Sequence, residues 1–199
     1  MSAPKTLLEM AGVPNRPHLL ADSAVVVIDA QNEYVSGKLI LPGVELALDE
    51  GARLLELARQ AGRPVIHVQH KGKPGGAFDP QTTAFCLVKK VEAKRGETVV
   101  TKTLPNAFSG TGLCETLKEM RVRSIIVAGF MTHMCVSSTV RAALDKGFGC
   151  TVVAGACATR DLPDGAGGVV SAAEVNRVEL AALADRFAVV VASTQQLSD

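Results

Sequence analysis

Ser124-Ile125-Ile126-Val127-Ala128-Gly129-Phe130-Met131-Thr132-His133-Met134-Cys135-Val136 holds the key to this chain. Its apolar, β-rich first half, Ser124 to Ala128, reads as a buried strand. Beyond Gly129 the spacing predicts a helix from Cys135 to Lys146, stopped by Gly147. A strand that turns straight into a helix is half of a βαβ unit. It also sets Cys135 at the positive end of a helix dipole, among free backbone N–H groups. That environment is expected to lower the thiol's pKa and favour the nucleophilic thiolate.

The same alternation continues on both sides. After a loosely structured opening through about Asp22, Val25 to Ile28 is a continuous β-branched run, as in a strand buried on both faces. Leu46 to Ala61 reads as a helix ended by Gly62, and Pro64 to Gln69 as a second strand. Thr98 to Thr101 gives a third strand, and Gly112 to Met120 a short helix. Thr151 to Ala154 is the fifth strand, and Ser171 to Asp185 a helix opening on the capping box Ser171-x-x-Glu174. Phe187 to Val191 closes the series as the sixth. The expected fold is therefore α/β: one three-layer α/β/α sandwich around a six-stranded, mainly parallel, Rossmann-like sheet. Residues 1–22 are expected to form an N-terminal extension and residues 23–199 the domain.

Composition narrows the class. The chain has 199 residues, is 47% hydrophobic and 4% aromatic, and carries a net charge of +1. Without a basic stripe or stacking aromatics, nucleic acid is not an expected partner. No apolar run approaches the ~20 residues that cross a bilayer, and the first residues lack a signal-peptide core, so a cytoplasmic protein off the membrane is expected. Five cysteines without short repeated spacings are neither a disulfide framework nor a zinc motif. Cys86, Cys114, Cys150 and Cys157 read as small buried hydrophobes. Gly165-Ala166-Gly167-Gly168 lies well beyond strand five and opens no helix after a strand, which rejects a nucleotide-binding loop. Residues 71–97 form a long polar excursion, of a length that usually serves a site or an interface.

Ligands of parallel sheets bind beyond the carboxyl ends of the strands. Asp29 follows Ile28, Lys102 follows Thr101, and Cys135 follows the fourth strand. Separately they have plain readings: a turn aspartate, a surface lysine, a buried thiol. Together they complement one another. Asp29 can take the thiol proton, Lys102 can stabilise the anionic pair, and the thiolate can attack an acyl carbon. Backbone N–H groups of the Gly129–Cys135 turn can stabilise the oxyanion, at up to ~3 kcal/mol per donor. The chemistry needs no metal and no cofactor.

These residues are similar to the isochorismatase-like cysteine hydrolase superfamily, which includes nicotinamidases and N-carbamoylsarcosine amidases. The resemblance runs from about Ala24 to Leu197. It rests on Val27-Ile28-Asp29-x-Gln31-Asn32, on Lys102 with Asn106-Ala107-Phe108-x-Gly110-Thr111, on Gly129 to Val136, and on Val153 to Arg160. It implies the isochorismatase-like hydrolase fold and an Asp-Lys-Cys triad at Asp29, Lys102 and Cys135. It also implies a non-proline cis peptide at Phe130–Met131, with the N–H groups of Met131 and Cys135 aimed at the oxyanion. Phe108 resembles a family pocket aromatic, and Gln31, Phe130 and His133 lie beside the triad as further pocket candidates. The metal motif of nicotinamidases is missing from Ile66-His67-Val68-Gln69-His70-Lys71-Gly72; His67 and His70, three apart, point to opposite faces of a strand.

The expected protein is thus a metal-independent hydrolase of a small non-peptide amide or related C–N bond, working through a thioester. It is expected to assemble as a homo-oligomer, a dimer or tetramer. Two alternatives stay open: an isochorismatase-type vinyl ether hydrolase using Asp29 as acid, and a non-catalytic small-molecule binding protein of the same fold.

Overall fold

The computed structural model describes residues 3–197; the last two residues of the expected domain, 198 and 199, lie outside it. One helical turn, α1 (Leu7–Met10), precedes strand β1 (Ser23–Ile28), the turn α2 (Glu33–Ser36) and the long helix α3 (Val44–Gln60). Strands β2 (Val65–His70) and β3 (Thr98–Lys102) lead to α4 (Leu113–Glu119) and β4 (Ser124–Phe130). Helix α5 (Ser137–Asp145) and β5 (Gly149–Ala158) follow. A short antiparallel hairpin, β6 (Leu162–Pro163) with β7 (Val169–Val170), connects to α6 (Ala172–Arg186) and β8 (Val189–Val191).

The main sheet has the order β3-β2-β1-β4-β5-β8, and every pairing in it is parallel. Its centre is buried on both faces, which explains the unbroken apolar runs. Val25, Val27, Ile126, Ala128 and Val153 pack with Leu48, Leu54, Leu55 and Ala58 of α3 on one face. Ala24, Val26, Ile28, Ile125 and Val127 pack with Leu113, Leu117, Val140 and Leu183 of α4, α5 and α6 on the other. Each fully buried Val, Leu or Ile among them contributes about 1.5–3 kcal/mol of transfer free energy. The three-layer α/β/α sandwich follows.

Several boundaries differ from the expectation, each for a local reason. The opening segment is tied down: Thr6 and Glu9 form a capping box on α1, and the His18 N–H donates to Thr151 Oγ1 at 2.9 Å. Helix α3 starts two residues before Leu46, because Gly43 takes a left-handed φ of 72° that turns the chain into it. Strands β4 and β5 run on past Ala128 and Ala154, with a bulge that shifts their register between Val127 and Gly129. Lys102 is the last residue of β3 rather than the first beyond it. Cys135 lies in a π-helical turn, Thr132–Val136, and α5 begins only at Ser137. Cys86 is exposed, while the other cysteines are buried.

Candidate active site

The strand order reverses between β1 and β4: the chain builds outward through β2 and β3 on one side and through β5 and β8 on the other. Helices leave to opposite faces at such a point, and a crevice opens at the carboxyl ends of the two strands. Asp29 directly follows β1 there. Its backbone is left-handed, with φ 51°, and its N–H donates to the Val68 carbonyl at 2.8 Å. Gly129 lies opposite Ile28 in the register, where a Cβ would overlap the Ile28 carbonyl oxygen; only glycine lets β1 and β4 close here.

Lys102 arrives from two strands away. It ends β3, crosses β2, and puts its Nζ 2.7 Å from Asp29 Oδ2 and 3.3 Å from Cys135 Sγ. A third contact, at 3.2 Å, is to His70 Nδ1. All of this is enclosed: Asp29 is 0%, Lys102 1% and Cys135 5% exposed. The three residues singled out from the sequence are therefore one hydrogen-bonded cluster. Asp29 Oδ1 is buried and without a hydrogen-bond partner among the described residues.

Burial shapes the proton inventory. Desolvation pushes the Asp29 carboxyl up from 3.8 to about 6, against the opposing pull of the Lys102 ammonium. Burial, and then the Asp29 charge, push the Cys135 thiol up to about 12, again with Lys102 opposing. The helix-dipole reading from the sequence expected the reverse. It is corrected here because the thiol sits in a closed π turn beside a carboxylate, and a lone thiolate would leave that pocket with net negative charge. In the resting site the ion pair is Asp29–Lys102, and the proton is on sulfur.

The other sequence candidates divide. The Phe130–Met131 peptide is cis, as the resemblance implied. The Met131 carbonyl accepts from the Met134 and Val136 N–H groups, which bracket that of Cys135. Phe130 is buried and meets Tyr34 edge-on, with ring centres 5.7 Å apart. His133 bonds through Nδ1 to Thr159 Oγ1, and burial holds its pKa below the ordinary range. Gln31 is committed to backbone: its Nε2 donates to the His70 and Phe85 carbonyls, and its Oε1 accepts from the His70 N–H. Phe108 stacks on Phe148 in the core under α4 and α5. His67 and His70 do point to opposite sides, one to Glu97 and the other to Lys102.

Three residues went unread in the sequence. Tyr34 is buried, and desolvation followed by the charges of Asp29, Cys135 and Glu33 raises its phenol above the ordinary range, while Arg160 lowers it. Arg160 also lowers the pKa of His133, and its guanidinium donates to the Asp161 carbonyl at 3.2 Å. Phe78, from the 71–97 excursion, packs edge-on against both Tyr34 and His70, at 5.1 Å in each case. The excursion is pinned at the site: Glu33 Oε2 accepts from the Phe78 N–H and Asn32 Nδ2 donates to the Thr83 carbonyl. Those contacts bring the excursion beside Tyr34 and His70.

Residues 23–195 match the Isochorismatase domain family. The crystal structure of an isochorismatase from Pseudomonas putida KT2440 superposes with a TM-score of 0.93 at 46% identity, covering 98% of this chain and 100% of that one. The secreted isochorismatase effector Isc1 of Verticillium dahliae is 37% identical over 185 residues, 92% of this chain and 95% of that protein. A maleamate amidohydrolase of Pseudomonas putida is 30% identical over 149 residues, 65% of this chain and 69% of that protein. Among the described residues no helix is long and apolar enough to cross a membrane. With fold, motif order and a match along nearly its whole length in agreement, this chain belongs to the isochorismatase family of hydrolases.

Proposed function

We propose that the protein hydrolyses a small non-peptide amide, or a related C–N bond, by covalent catalysis at Cys135, without a metal. One observation carries this reading: a buried ammonium, Lys102 Nζ, bridges a carboxylate at 2.7 Å and a thiol at 3.3 Å. A vinyl ether hydrolase needs a proton donor and no nucleophile, so a thiol held in this way favours acyl transfer. The amidohydrolase among the relatives supports the same class.

The steps follow from the proton inventory. As substrate enters, Asp29 takes the Cys135 proton and Sγ bonds to the acyl carbon, moving the carbonyl electron pair onto oxygen. The Met131 and Cys135 N–H groups stabilise that oxyanion. Asp29 then protonates the leaving nitrogen, the C–N bond breaks, and a thioester remains. Water gives a proton to Asp29 and attacks the thioester; the S–C bond breaks and the proton returns to sulfur. Throughout, the Lys102 ammonium balances a single negative charge, on Asp29 at rest and on the oxyanion once Asp29 holds the proton. Phe130 and His133 complete the pocket side of the proposal, with Gln31 as a support, while Phe108 packs in the core against Phe148. The same reading includes a cytoplasmic homo-oligomer, checked by cell fractionation and light scattering.

The test is ammonia release from a panel of small amides, maleamate included, by wild type and Cys135→Ala, with intact mass spectrometry of quenched reactions. Turnover with an acyl adduct on wild type, both lost in Cys135→Ala, is the expected result. Turnover of a vinyl ether that survives the substitution would sink the amidase reading. Tight binding of an amide without turnover would favour a binding protein.

A further inference from the structure

An ammonium has three hydrogens to donate and cannot accept. Lys102 gives one to Asp29 Oδ2 and one to Cys135 Sγ; the third points at His70 Nδ1, 3.2 Å away. That contact exists only with a neutral imidazole whose lone pair is on Nδ1 and whose proton is on Nε2. Burial, and then the Lys102 charge, hold His70 at about 4, so the ring is neutral wherever Asp29 is ionised.

His70 is itself held on two sides. Gln31 grips its peptide, accepting from the His70 N–H at 2.8 Å and donating to the His70 carbonyl at 3.0 Å. Phe78 meets its ring edge-on, at 68° between planes. In the register of β2 and β3, His70 pairs with Lys102, so the two side chains leave the sheet together.

We propose that His70 is a positioning residue: by accepting the third ammonium hydrogen it keeps Lys102 turned toward Asp29 and Cys135 at once. This rests on the reading of those three residues as the reacting centre. The physical reason lies in Asp29 Oδ1, which is buried and has no geometric hydrogen-bond partner among the described residues. Without an acceptor at His70, the ammonium has a buried unpaired N–H. It satisfies that hydrogen by turning onto both carboxylate oxygens, away from Sγ.

The test needs no substrate. The rate of Cys135 alkylation by iodoacetamide at pH 7.5, followed by peptide mass mapping, is compared in wild type, Lys102→Ala, His70→Phe and His70→Asn. His70→Phe keeps a ring against Phe78 and removes the acceptor; His70→Asn keeps an acceptor at the Nδ1 position and loses the ring. The expected slowing for His70→Phe is about tenfold, the scale of one hydrogen bond to a charged group, with His70→Asn within about threefold of wild type. With a turned-over amide in hand, His70→Phe lowers kcat and leaves KM within about twofold. A His70→Phe protein that alkylates like wild type overturns the proposal. So does a folded His70→Asn protein as slow as His70→Phe, since packing alone would then explain the effect. If no amide is turned over, the alkylation rates still decide the role of His70. If wild type alkylates no faster than Lys102→Ala, the proposal fails together with the reading beneath it.

Discussion

Lys102 Nζ, at the end of β3, lies 2.7 Å from Asp29 Oδ2, at the end of β1, with the whole of β2 between their backbones. Strands are spaced about 4.8 Å apart, so only a long unbranched side chain bridges that gap with a charge at its tip. The pair is buried and costly to desolvate, and breaking one side of it leaves an uncompensated charge. Its acidic member therefore sets how the site responds to pH.

Activity is expected to rise with pH through about 6 and then level off. The working form of Asp29 is the carboxylate, and its pKa is raised, so protons occupy it at pH values where an ordinary carboxyl is ionised. Below the midpoint kcat/KM falls tenfold per pH unit. A pH–rate profile with its acidic limb near 4 would contradict this assignment.

Cys135 alkylation should follow the same limb. A free thiol labels about tenfold faster per pH unit up to its pKa of about 8.5 and levels off only above it. Here the thiolate forms by passing its proton to Asp29, so the rate reaches a plateau above about 6 and belongs to the pair rather than to sulfur alone. Labelling of wild type between pH 5 and 9 checks this, and Asp29→Asn should abolish the plateau.

Gly129→Ala is expected to destabilise the fold by about 3 kcal/mol or more, through a strained φ and overlap with the β1 backbone. The residue has φ 124°, and the added Cβ meets the Ile28 carbonyl oxygen. Urea unfolding by circular dichroism measures it. A loss under 1 kcal/mol, on the scale of ordinary surface changes, would mean that β1 and β4 can part without cost.

Glu97 ties the end of the excursion to the body. It accepts from Arg59 Nε and Nη2, from the Lys94 N–H and from His67 Nε2 at 2.7–2.9 Å. Burial would raise its pKa, but these donors outweigh that and hold it at about 2, below the ordinary 4.5. A depressed acid stabilises the fold fully above 4.5, and that stability, about 3 kcal/mol, is lost as pH falls toward 2. Glu97→Gln should cost about 2 kcal/mol at pH 7 and flatten the acid limb of a stability profile. An unchanged limb would assign acid unfolding to other groups.

The strands, most helices and the three members of the Asp29–Lys102–Cys135 cluster were legible in the chain because each is local. β-branched runs such as Val25 to Ile28 read as buried on both faces, Ser171 caps its helix through the Glu174 N–H, Asp29 and Lys102 stand at strand ends, and Cys135 sits in the turn that follows β4. What only the tertiary structure decided depends on strand order and on burial. Local periodicity carries no information on which strands are neighbours, so the pairing of His70 with Lys102 and the approach of Phe78 to Tyr34 were out of reach. The protonation of Cys135 was misread for the same reason. A helix start lowers a thiol's pKa in water, but desolvation beside a carboxylate outweighs it, and a desolvated pocket is made only when distant segments close over it.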